Sequence, residues 1–177
     1  MGNAAGVGTA FFDASHRRLR AGIYSLGQVD YIDKRHFVDW NDVEILIAVD
    51  VKNHLLGKQG SAYTFGKQKG LYPTQLEAVD QAMRHYRDKI YEFFHVDINQ
   101  YEGSGSSGGI GAVLTGLLHA KMVPGIQLCM QEYHLEDVIA QSDIVITGEG
   151  QSDHQTLYGK VPYGVGQLAK RHGKPVF

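Results

Sequence analysis

The chain has 177 residues, the size of one typical domain or slightly more. Its 43% hydrophobic residues can form a sizeable core, and its net charge of −2 does not indicate a nucleic-acid or membrane surface. Apolar runs stay shorter than the roughly 18 residues of a membrane span, and no secretory signal is expected from the first residues. The single cysteine, Cys129, excludes an internal disulfide and a cysteine-based zinc site, so a reducing cytoplasm is expected.

Short elements are predicted along the first fifty residues. Residues 9–14 are expected to form a strand or the end of a short helix, and residues 21–40 show no sustained period. Residues 43–51, VEILIAVDV, are the first clear strand. Asp50 near its end and Asn53 just beyond it are candidates to hold a metal or a substrate hydroxyl. An aspartate that caps a turn is the more common outcome.

A glycine-rich and basic loop is predicted at Gly57–Gly70. It carries Lys58, Lys67 and Lys69 among several glycines. Lysine side chains and free backbone N–H groups in such a loop can cradle an anion. A solvated basic loop is the alternative.

A long amphipathic helix is predicted over residues 74–96. Thr74 and Glu77 have the spacing of a capping box, and Pro73 precedes them. Apolar side chains recur at helical spacing and predict one buried face, comprising Leu76, Val79, Met83, Tyr86, Ile90 and Phe93 or Phe94. This helix is expected to be structural.

A second glycine-rich stretch, Gly103–Gly111, precedes a short apolar helix predicted from Ile110 to about Lys121. Backbone N–H groups at a helix N-terminus suit a phosphate. The stretch lacks the Gly-Lys-Ser/Thr end of a P-loop and the preceding strand of a dinucleotide fingerprint, so both motifs are rejected. A tight loop that lets the helix pack closely is the alternative. The candidate phosphate-binding residues are Gly103, Ser104, Gly105, Ser106, Gly108 and Gly109.

The last third of the chain continues the alternation of elements. Pro124–Met130 is expected to be a strand or the start of a helix, and Leu135–Gln141 and Tyr163–His172 are expected to be helices. Gly173 would end the last of these, and Lys174–Phe177 would lead into another strand. The order of elements predicts an α/β fold with a mostly parallel sheet and flanking helices.

The stretch Asp143–Lys160 holds the densest set of polar side chains. Its first part, residues 144–147, predicts a buried parallel strand that ends at Gly-Glu-Gly. Ligands bind at the carboxyl ends of strands in open α/β sheets. An acid, an amide, a hydroxyl and an ammonium follow Glu149, namely Asp153, Gln155, Thr156 and Lys160. This set indicates phosphate or metal–phosphate chemistry, with a polar helix-capping loop as an equally favoured alternative.

Four ordered motifs together resemble a known family. Val145–Ala169 contains VITGEG followed by Asp, Gln-Thr, Gly-Lys, Pro and Gly-Val. Gly103–Ala112 is similar to a GAGxAGGxGA pattern, Phe65–Gly70 to FGPQKG, and Val49–Leu55 to CDVxNPL. Phe11–Ala14 fits an FFDA-like strand. In this order they resemble the bacterial type I glycerate kinase family over nearly the whole chain. The chain departs from the pattern at Val49, His54 and Lys67, where the family has cysteine, proline and proline.

The resemblance implies a fold of two α/β domains. Residues 1–142 would belong to the inserted domain, and residues 143–177 to part of a second, Rossmann-like domain. The family pattern extends beyond both ends of this sequence, so the resemblance implies a chain truncated at both ends. The implied activity is ATP-dependent phosphorylation of D-glycerate with Mg²⁺, favouring the 2-hydroxyl. ATP and D-glycerate are the expected partners, without nucleic acid or membrane, and a homo-oligomer is left open.

The resemblance also suggests roles for the candidate residues. Glu149 and Asp153 would hold Mg²⁺ or accept the hydroxyl proton, and Asp50 is a third candidate base. Lys160 and Lys69 would neutralise phosphate or carboxylate charge. The other substrate- or phosphate-binding candidates are the glycine-rich stretch, Asn53, Gln155 and Thr156.

Two other functions are alternatives to an active kinase. A truncated or degenerate kinase domain would bind a ligand or partner without catalysis. A nicotinamide-dependent enzyme is disfavoured because the strand and the ribose-binding acid of its fingerprint are missing around Gly103–Gly111.

Overall fold

The computed structural model describes residues 8–148 and 161–177 as a mixed α/β protein. The strands are β1 (Ala10–Phe12), β2 (Tyr31–Asp33), β3 (Leu46–Val49) and β4 (Lys121–Pro124). The α-helices are α1 (Ser61–Phe65), α2 (Leu76–Phe94), α3 (Ile110–Leu118), α4 (Gly125–Glu132), α5 (Leu135–Gln141) and α6 (Val161–Arg171). Short 3₁₀ helices lie at Ile23–Gln28, Lys67–Lys69, Pro73–Gln75 and Ser106–Gly108. No helix in these two ranges is long and apolar enough to cross a membrane.

The chain divides into two compact units. The first comprises Met1–Leu46 and Val51–Met122, and the second comprises Ile47–Asp50 and Val123–Phe177. The assignment of residues 1–142 to an inserted domain and residues 143–177 to a partial second domain stays a prediction.

Helix α2 supplies the core of the first unit. Its predicted apolar face is confirmed, because Leu76, Met83, Tyr86 and Ile90 are all buried. Ile90 is fully buried, and the partly buried Val79, Phe93 and Phe94 pack beside it against the same cluster. The 3.6-residue period therefore identified the core-facing side of this helix.

The N-terminus of α2 differs from the prediction. The capping box expected from Thr74 and Glu77 is wrong, because a 3₁₀ turn at Pro73–Gln75 precedes the helix. The Gln75 Oε1 atom accepts a hydrogen bond from the Tyr72 N–H group at 2.8 Å. Glu77 instead contacts side chains outside the helix, as described below.

Strands β1 and β2 pair antiparallel and pack on α2. The register places Phe11 opposite Ile32, and these two side chains are buried. The rings of Phe11 and Tyr86 lie 5.8 Å apart between centroids. Of the two possibilities predicted for residues 9–14, a strand or the end of a short helix, the structure shows the strand, and β3 and β4 form another two-stranded sheet.

The second unit is built around Val145. Val145 forms a parallel bridge with Val176, in which the Val145 N–H group donates to the Pro175 carbonyl at 2.9 Å. The buried core around it consists of Ile139, Val145, Val165, Leu168 and Ala169. The buried parallel strand predicted for residues 144–147 is confirmed only in part: the pairing is a single parallel bridge, and Val145 is buried whereas Ile144 and Ile146 are exposed. A mostly parallel sheet and a Rossmann-like domain stay predictions.

Replacing Ile90 by alanine tests the core. We expect Ile90→Ala to lower the free energy of unfolding by about 2–5 kcal/mol, because the vacated volume cannot be filled by neighbouring side chains. Tyr91 follows it on the same helix and is 56% exposed, so Tyr91→Ala is the control and should cost less than about 1 kcal/mol. Urea denaturation of both variants measures the difference. Equal destabilisation by the two substitutions would contradict the assigned core.

Candidate functional site

The glycine-rich loop, Gly103–Gly109, lies directly against the Asn53 segment, which we define as residues 52–57. The Gly103 N–H group donates to the Lys52 carbonyl at 3.2 Å, and the Gly105 N–H group donates to the Asn53 carbonyl at 2.9 Å. The structure thus brings together Asn53, Gly103 and Gly105, which the sequence places about fifty residues apart. Both segments belong to the first unit.

Gly105 permits this close approach. A Cβ atom at this position would overlap the His54 carbonyl oxygen and lie 3.0 Å from the Asn53 carbonyl oxygen. The backbone of Gly105 has φ −75°, which any residue adopts, so the requirement is for space rather than for conformation. The alternative stated for the glycine-rich stretch, a loop that allows close packing, therefore describes Gly105.

Several amides that were candidates for an anion cradle already have protein acceptors. The Ser104, Ser106 and Gly109 N–H groups donate to backbone carbonyls at 3.1, 2.9 and 3.0 Å, as do those of Gly103 and Gly105. Ser104 is fully buried, and its Oγ atom accepts from a backbone N–H group. An anion would have to approach the exposed tip of the loop at Ser107–Gly108 and the first turn of α3.

The tip of the loop has an unusual backbone. Ser107, Gly108 and Gly109 have φ values of 50°, 75° and 97°. Three consecutive left-handed residues turn the chain sharply into α3, and two of them are glycines, which adopt this conformation readily. Phosphate binding by Ser106, Gly108 and Gly109 stays a prediction.

The Asn53 side chain is held in one orientation. Its Nδ2 atom donates to the Gln59 carbonyl at 2.7 Å and to the Thr64 Oγ1 atom at 3.3 Å. Both donor positions are thereby engaged, and within residues 8–148 and 161–177 no donor contacts Oδ1. This oxygen is the group with which Asn53 can accept a hydrogen bond from a ligand.

Asp80 and Asn99 contact the same segment but were missed by sequence reasoning. Asp80 Oδ1 accepts from the Gly57 N–H group at 2.8 Å, and Asn99 Oδ1 accepts from the Leu56 N–H group at 3.0 Å. Asp80 lies four residues after Leu76, on the same stripe of α2, so helical spacing could have identified it as a carboxylate facing the core. A buried carboxylate needs hydrogen-bonding partners.

The segment Gly57–Gly70, predicted as a basic loop, contains α1 and the 3₁₀ helix Lys67–Lys69, so the loop prediction is wrong over those residues. Lys58 forms an ion pair with Glu77 at 3.0 Å and a hydrogen bond with the Tyr63 hydroxyl at 2.7 Å. Its ammonium also lies 4.3 Å from the Tyr63 ring centroid. Lys69 is exposed at the end of a 3₁₀ helix and precedes Gly70, so it remains a candidate for an anionic group.

Asp50 belongs to the second unit, where it caps a helix. Its Oδ1 atom accepts from the N–H group of Gly125, the first residue of α4, at 3.2 Å. A carboxylate is favourable there because the helix N-terminus carries partial positive charge. The structure therefore shows a capping contact for Asp50, and its role towards metal or substrate stays a prediction.

The predicted catalytic residues lie outside the described residues. These are Glu149, Asp153 and Lys160, and the candidates Gln155 and Thr156 lie there too. In the described ranges, 8–148 and 161–177, no three His, Cys, Asp or Glu side chains are grouped as metal ligands.

A comparison with known protein families identifies the chain. The sequence profile of the glycerate kinase family matches residues 1–177. The chain belongs to the glycerate kinase family. This finding confirms the resemblance drawn from the four sequence motifs.

Individual relatives agree with the family match. Glycerate kinase of Halalkalibacterium halodurans is 39% identical over 134 residues, which cover 76% of this chain and 35% of that protein. Glycerate 2-kinase of Escherichia coli is 36% identical over 171 residues, covering 96% of this chain and 45% of that protein. A crystal structure named as a candidate glycerate kinase 2 from Salmonella typhimurium LT2 matches with a TM-score of 0.83 and 38% identity.

The match covers only part of these relatives. The Salmonella structure is matched over 99% of this chain but 47% of its own length. The chain spans less than half the length of the curated relatives described above.

Substitution of Gly105 tests the contact between the loop and the Asn53 segment. We expect Gly105→Ala to lower the free energy of unfolding by about 1–3 kcal/mol, because the new methyl group would overlap the His54 carbonyl. A Cβ atom at Gly166, in α6, would meet no other atom within 4 Å, so Gly166→Ala is the control and should be neutral or slightly stabilising. Urea denaturation measures both. Wild-type stability of Gly105→Ala would contradict the close contact.

The ionisation of Glu77 should make stability depend on pH. The Tyr63 hydroxyl, followed by Lys58 and Gln81, lowers the pKa of Glu77 from 4.5 to about 2. Because the folded-state pKa is lowered, ionised Glu77 stabilises the fold above about pH 4.5, and this contribution is lost as the pH falls towards about 2.

We therefore expect Glu77→Gln to reduce the loss of melting temperature between about pH 4.5 and 2. Thermal unfolding at several pH values measures the slope of melting temperature against pH. Glu132→Gln, an exposed glutamate on α4, is the matched control and should retain the wild-type slope. Equal slopes for Glu77→Gln and the wild type would contradict a lowered pKa.

Proposed function

We propose that this chain contributes to a glycerate kinase that transfers a phosphoryl group from ATP to D-glycerate. The observation that carries the proposal is the family match over residues 1–177. The curated relatives named glycerate kinase support the same substrate. The hydrogen bonds between the glycine-rich loop and the Asn53 segment support a pre-formed ligand-binding site within the part of the family's length that this chain covers.

Phosphoryl transfer depends on positioning and charge neutralisation rather than on covalent chemistry by the protein. The described residues fit these needs. Asn53 Oδ1 accepts a hydrogen bond from a hydroxyl of glycerate. The loop tip at Ser107–Gly108 and the N-terminus of α3 receive a carboxylate or phosphate, and Lys69 adds positive charge nearby in the chain.

Magnesium is assigned to residues outside the described ranges, and the catalytic base to one of three carboxylates, of which only Asp50 lies within them. Mg²⁺ binds through one or two carboxylates and completes its coordination with phosphate oxygens and water. Glu149 and Asp153 meet that requirement by residue type, and Mg²⁺ bound there would neutralise charge on the transferred phosphoryl group. Lys160 provides a further positive charge, while Gln155 and Thr156 bind substrate or phosphate. The base is Glu149, Asp153 or Asp50.

The 2-hydroxyl of glycerate is the proposed acceptor. The relative from Escherichia coli, named glycerate 2-kinase, supports this position. The reaction would join a nucleophilic hydroxyl oxygen of glycerate to the γ-phosphorus of ATP. The bond from that phosphorus to the β,γ-bridging oxygen breaks, ADP leaves, and the hydroxyl proton passes to the base. The reaction belongs to organic acid metabolism, and a cytoplasmic location is proposed with it.

The decisive test is turnover by the chain, expressed with any coding sequence that continues its reading frame. We expect Mg²⁺-dependent formation of ADP and 2-phosphoglycerate from ATP and D-glycerate, identified by ³¹P NMR. Asp153→Asn should lower kcat at least about hundredfold if its carboxylate holds Mg²⁺ or accepts the proton. Asp137→Asn, on α5, is the matched control and should retain the wild-type rate.

Other outcomes separate the alternatives. Calorimetric binding of D-glycerate or Mg²⁺-ATP without turnover would support a ligand-binding domain that does not catalyse the reaction. Formation of 3-phosphoglycerate would correct the position of phosphorylation. Unchanged turnover and Mg²⁺ dependence in Asp153→Asn would remove Asp153 from the chemistry.

A further inference from the structure

We propose that Asp80, Asn99 and Ser104 form an amide clamp that positions Asn53 for substrate binding. The role in substrate binding rests on the proposed function. The three residues are positioning residues, because they act through the backbone of the Asn53 segment rather than through contact with substrate. Ser104 was predicted to bind phosphate, and the clamp gives its hydroxyl a different role.

The clamp consists of three hydrogen bonds to consecutive backbone amides. The Leu55 N–H group donates to Ser104 Oγ at 3.0 Å. The next amide, that of Leu56, donates to Asn99 Oδ1 at 3.0 Å, and that of Gly57 donates to Asp80 Oδ1 at 2.8 Å. Each acceptor comes from a different part of the first unit: the glycine-rich loop, the turn after α2, and α2 itself.

Two of the three acceptor residues, Ser104 and Asp80, are buried, so the amides they bind have few other acceptors. The side chain of Ser104 is fully buried, and the residue Asp80 is only 5% exposed. The backbone N–H group of the buried Leu55 needs a protein acceptor because water has little access to it. The Asp80 carboxylate receives additional charge compensation from Arg84, whose Nη2 atom lies 3.5 Å from Oδ2. Removing a clamp side chain would therefore leave a backbone donor without its acceptor.

Asn99 also contacts the side chain of His54, a second residue of the Asn53 segment. Its backbone carbonyl lies 2.8 Å from His54 Nδ1. A carbonyl oxygen only accepts, so Nδ1 of His54 carries the proton in this contact. Asn99 therefore contacts both the side chain of His54 and the backbone of Leu56, which restrains the segment on either side of Leu55.

The restraint extends to Asn53 through the covalent chain and the neighbouring loop. The Asn53 carbonyl accepts from Gly105 N–H at 2.9 Å, while its side chain is held through Nδ2 by Gln59 and Thr64. Clamp and loop thus fix the direction in which Oδ1 is presented. Small displacements of a substrate-orienting group reduce the rate of a positioned reaction. The expected effect of loosening the clamp is poorer use of D-glycerate.

The test compares Asp80→Ala with Asp80→Asn in the same expressed protein. Asp80→Ala removes the acceptor, whereas Asp80→Asn retains an Oδ1 oxygen. We expect Asp80→Ala to accelerate hydrogen exchange at the Gly57 amide and to lower kcat/KM for D-glycerate by about tenfold each. In Asp80→Asn, both the increase in exchange rate and the decrease in kcat/KM should be at most half as large on a logarithmic scale. Asp88→Ala, an exposed acid on the same helix, is the matched control and should leave both quantities unchanged.

A second pair of variants covers the case in which Asp80→Ala does not fold. Asn99→Ala removes the acceptor of the Leu56 amide, and Asn99→Asp retains an Oδ1 oxygen. We expect the same ordering, with faster exchange at Leu56 and lower kcat/KM for D-glycerate in Asn99→Ala. Circular dichroism and thermal unfolding establish which variants are folded at the assay temperature.

The results distinguish failure of the inference from failure of the proposed function. Wild-type exchange at Leu56 and Gly57 in the alanine variants would overturn the clamp. Faster exchange with unchanged kinetic constants, or no recovery in Asp80→Asn, would overturn its positioning role. If the wild-type protein has no glycerate kinase turnover, the proposed function fails and the positioning role fails with it. Exchange would still decide whether the clamp itself exists.

Discussion

The backbone contact between Gly105 and the Asn53 segment is the constraint on which the candidate site depends. Two segments meet there, and neither contains a strand or an α-helix to satisfy its backbone polar groups. The Asn53 carbonyl accepts from Gly105 N–H, and a side chain at Gly105 would overlap the His54 carbonyl. The Gly105–Asn53 hydrogen bond therefore needs the close approach of the two backbones, which the absence of a side chain at Gly105 allows. With the segments in contact, the buried Ser104 hydroxyl accepts a hydrogen bond from Leu55 N–H, which links the contact to the buried Leu55 side chain.

This arrangement changes the interpretation of the glycine-rich loop. Its glycines do not simply expose a row of free amides, because many of those amides bind carbonyl groups of the same unit. The buried part of the loop supports Asn53, and the exposed Ser107–Gly108 tip remains accessible to an anion. One short sequence can thus serve packing at Gly105 and ligand binding at its tip. The packing interpretation applies to Gly105, and anion binding at the tip stays a prediction.

Much of the secondary structure could be predicted because its causes are local. The apolar period of α2 identified Ile90 as a core residue, whereas the strand predicted from the β-branched residues around Val145 is present only as one parallel bridge. The cap of α2 could not be predicted from Thr74 and Glu77. Glu77 has the right spacing for a capping box, but its carboxylate binds Tyr63 and Lys58 instead. Partners that are distant in sequence outweighed the local preference.

The sequence by itself determined the family, because four ordered motifs along one chain are far more specific than any single motif. It also determined the main helical periods, which follow from covalent geometry and the apolar residues. Only the tertiary structure decided that Asp80 and Asn99 serve the Asn53 segment, since those hydrogen bonds join residues more than twenty positions apart. It also decided that Gly105 is needed for space, because φ −75° places no demand on residue type and only the facing His54 carbonyl does.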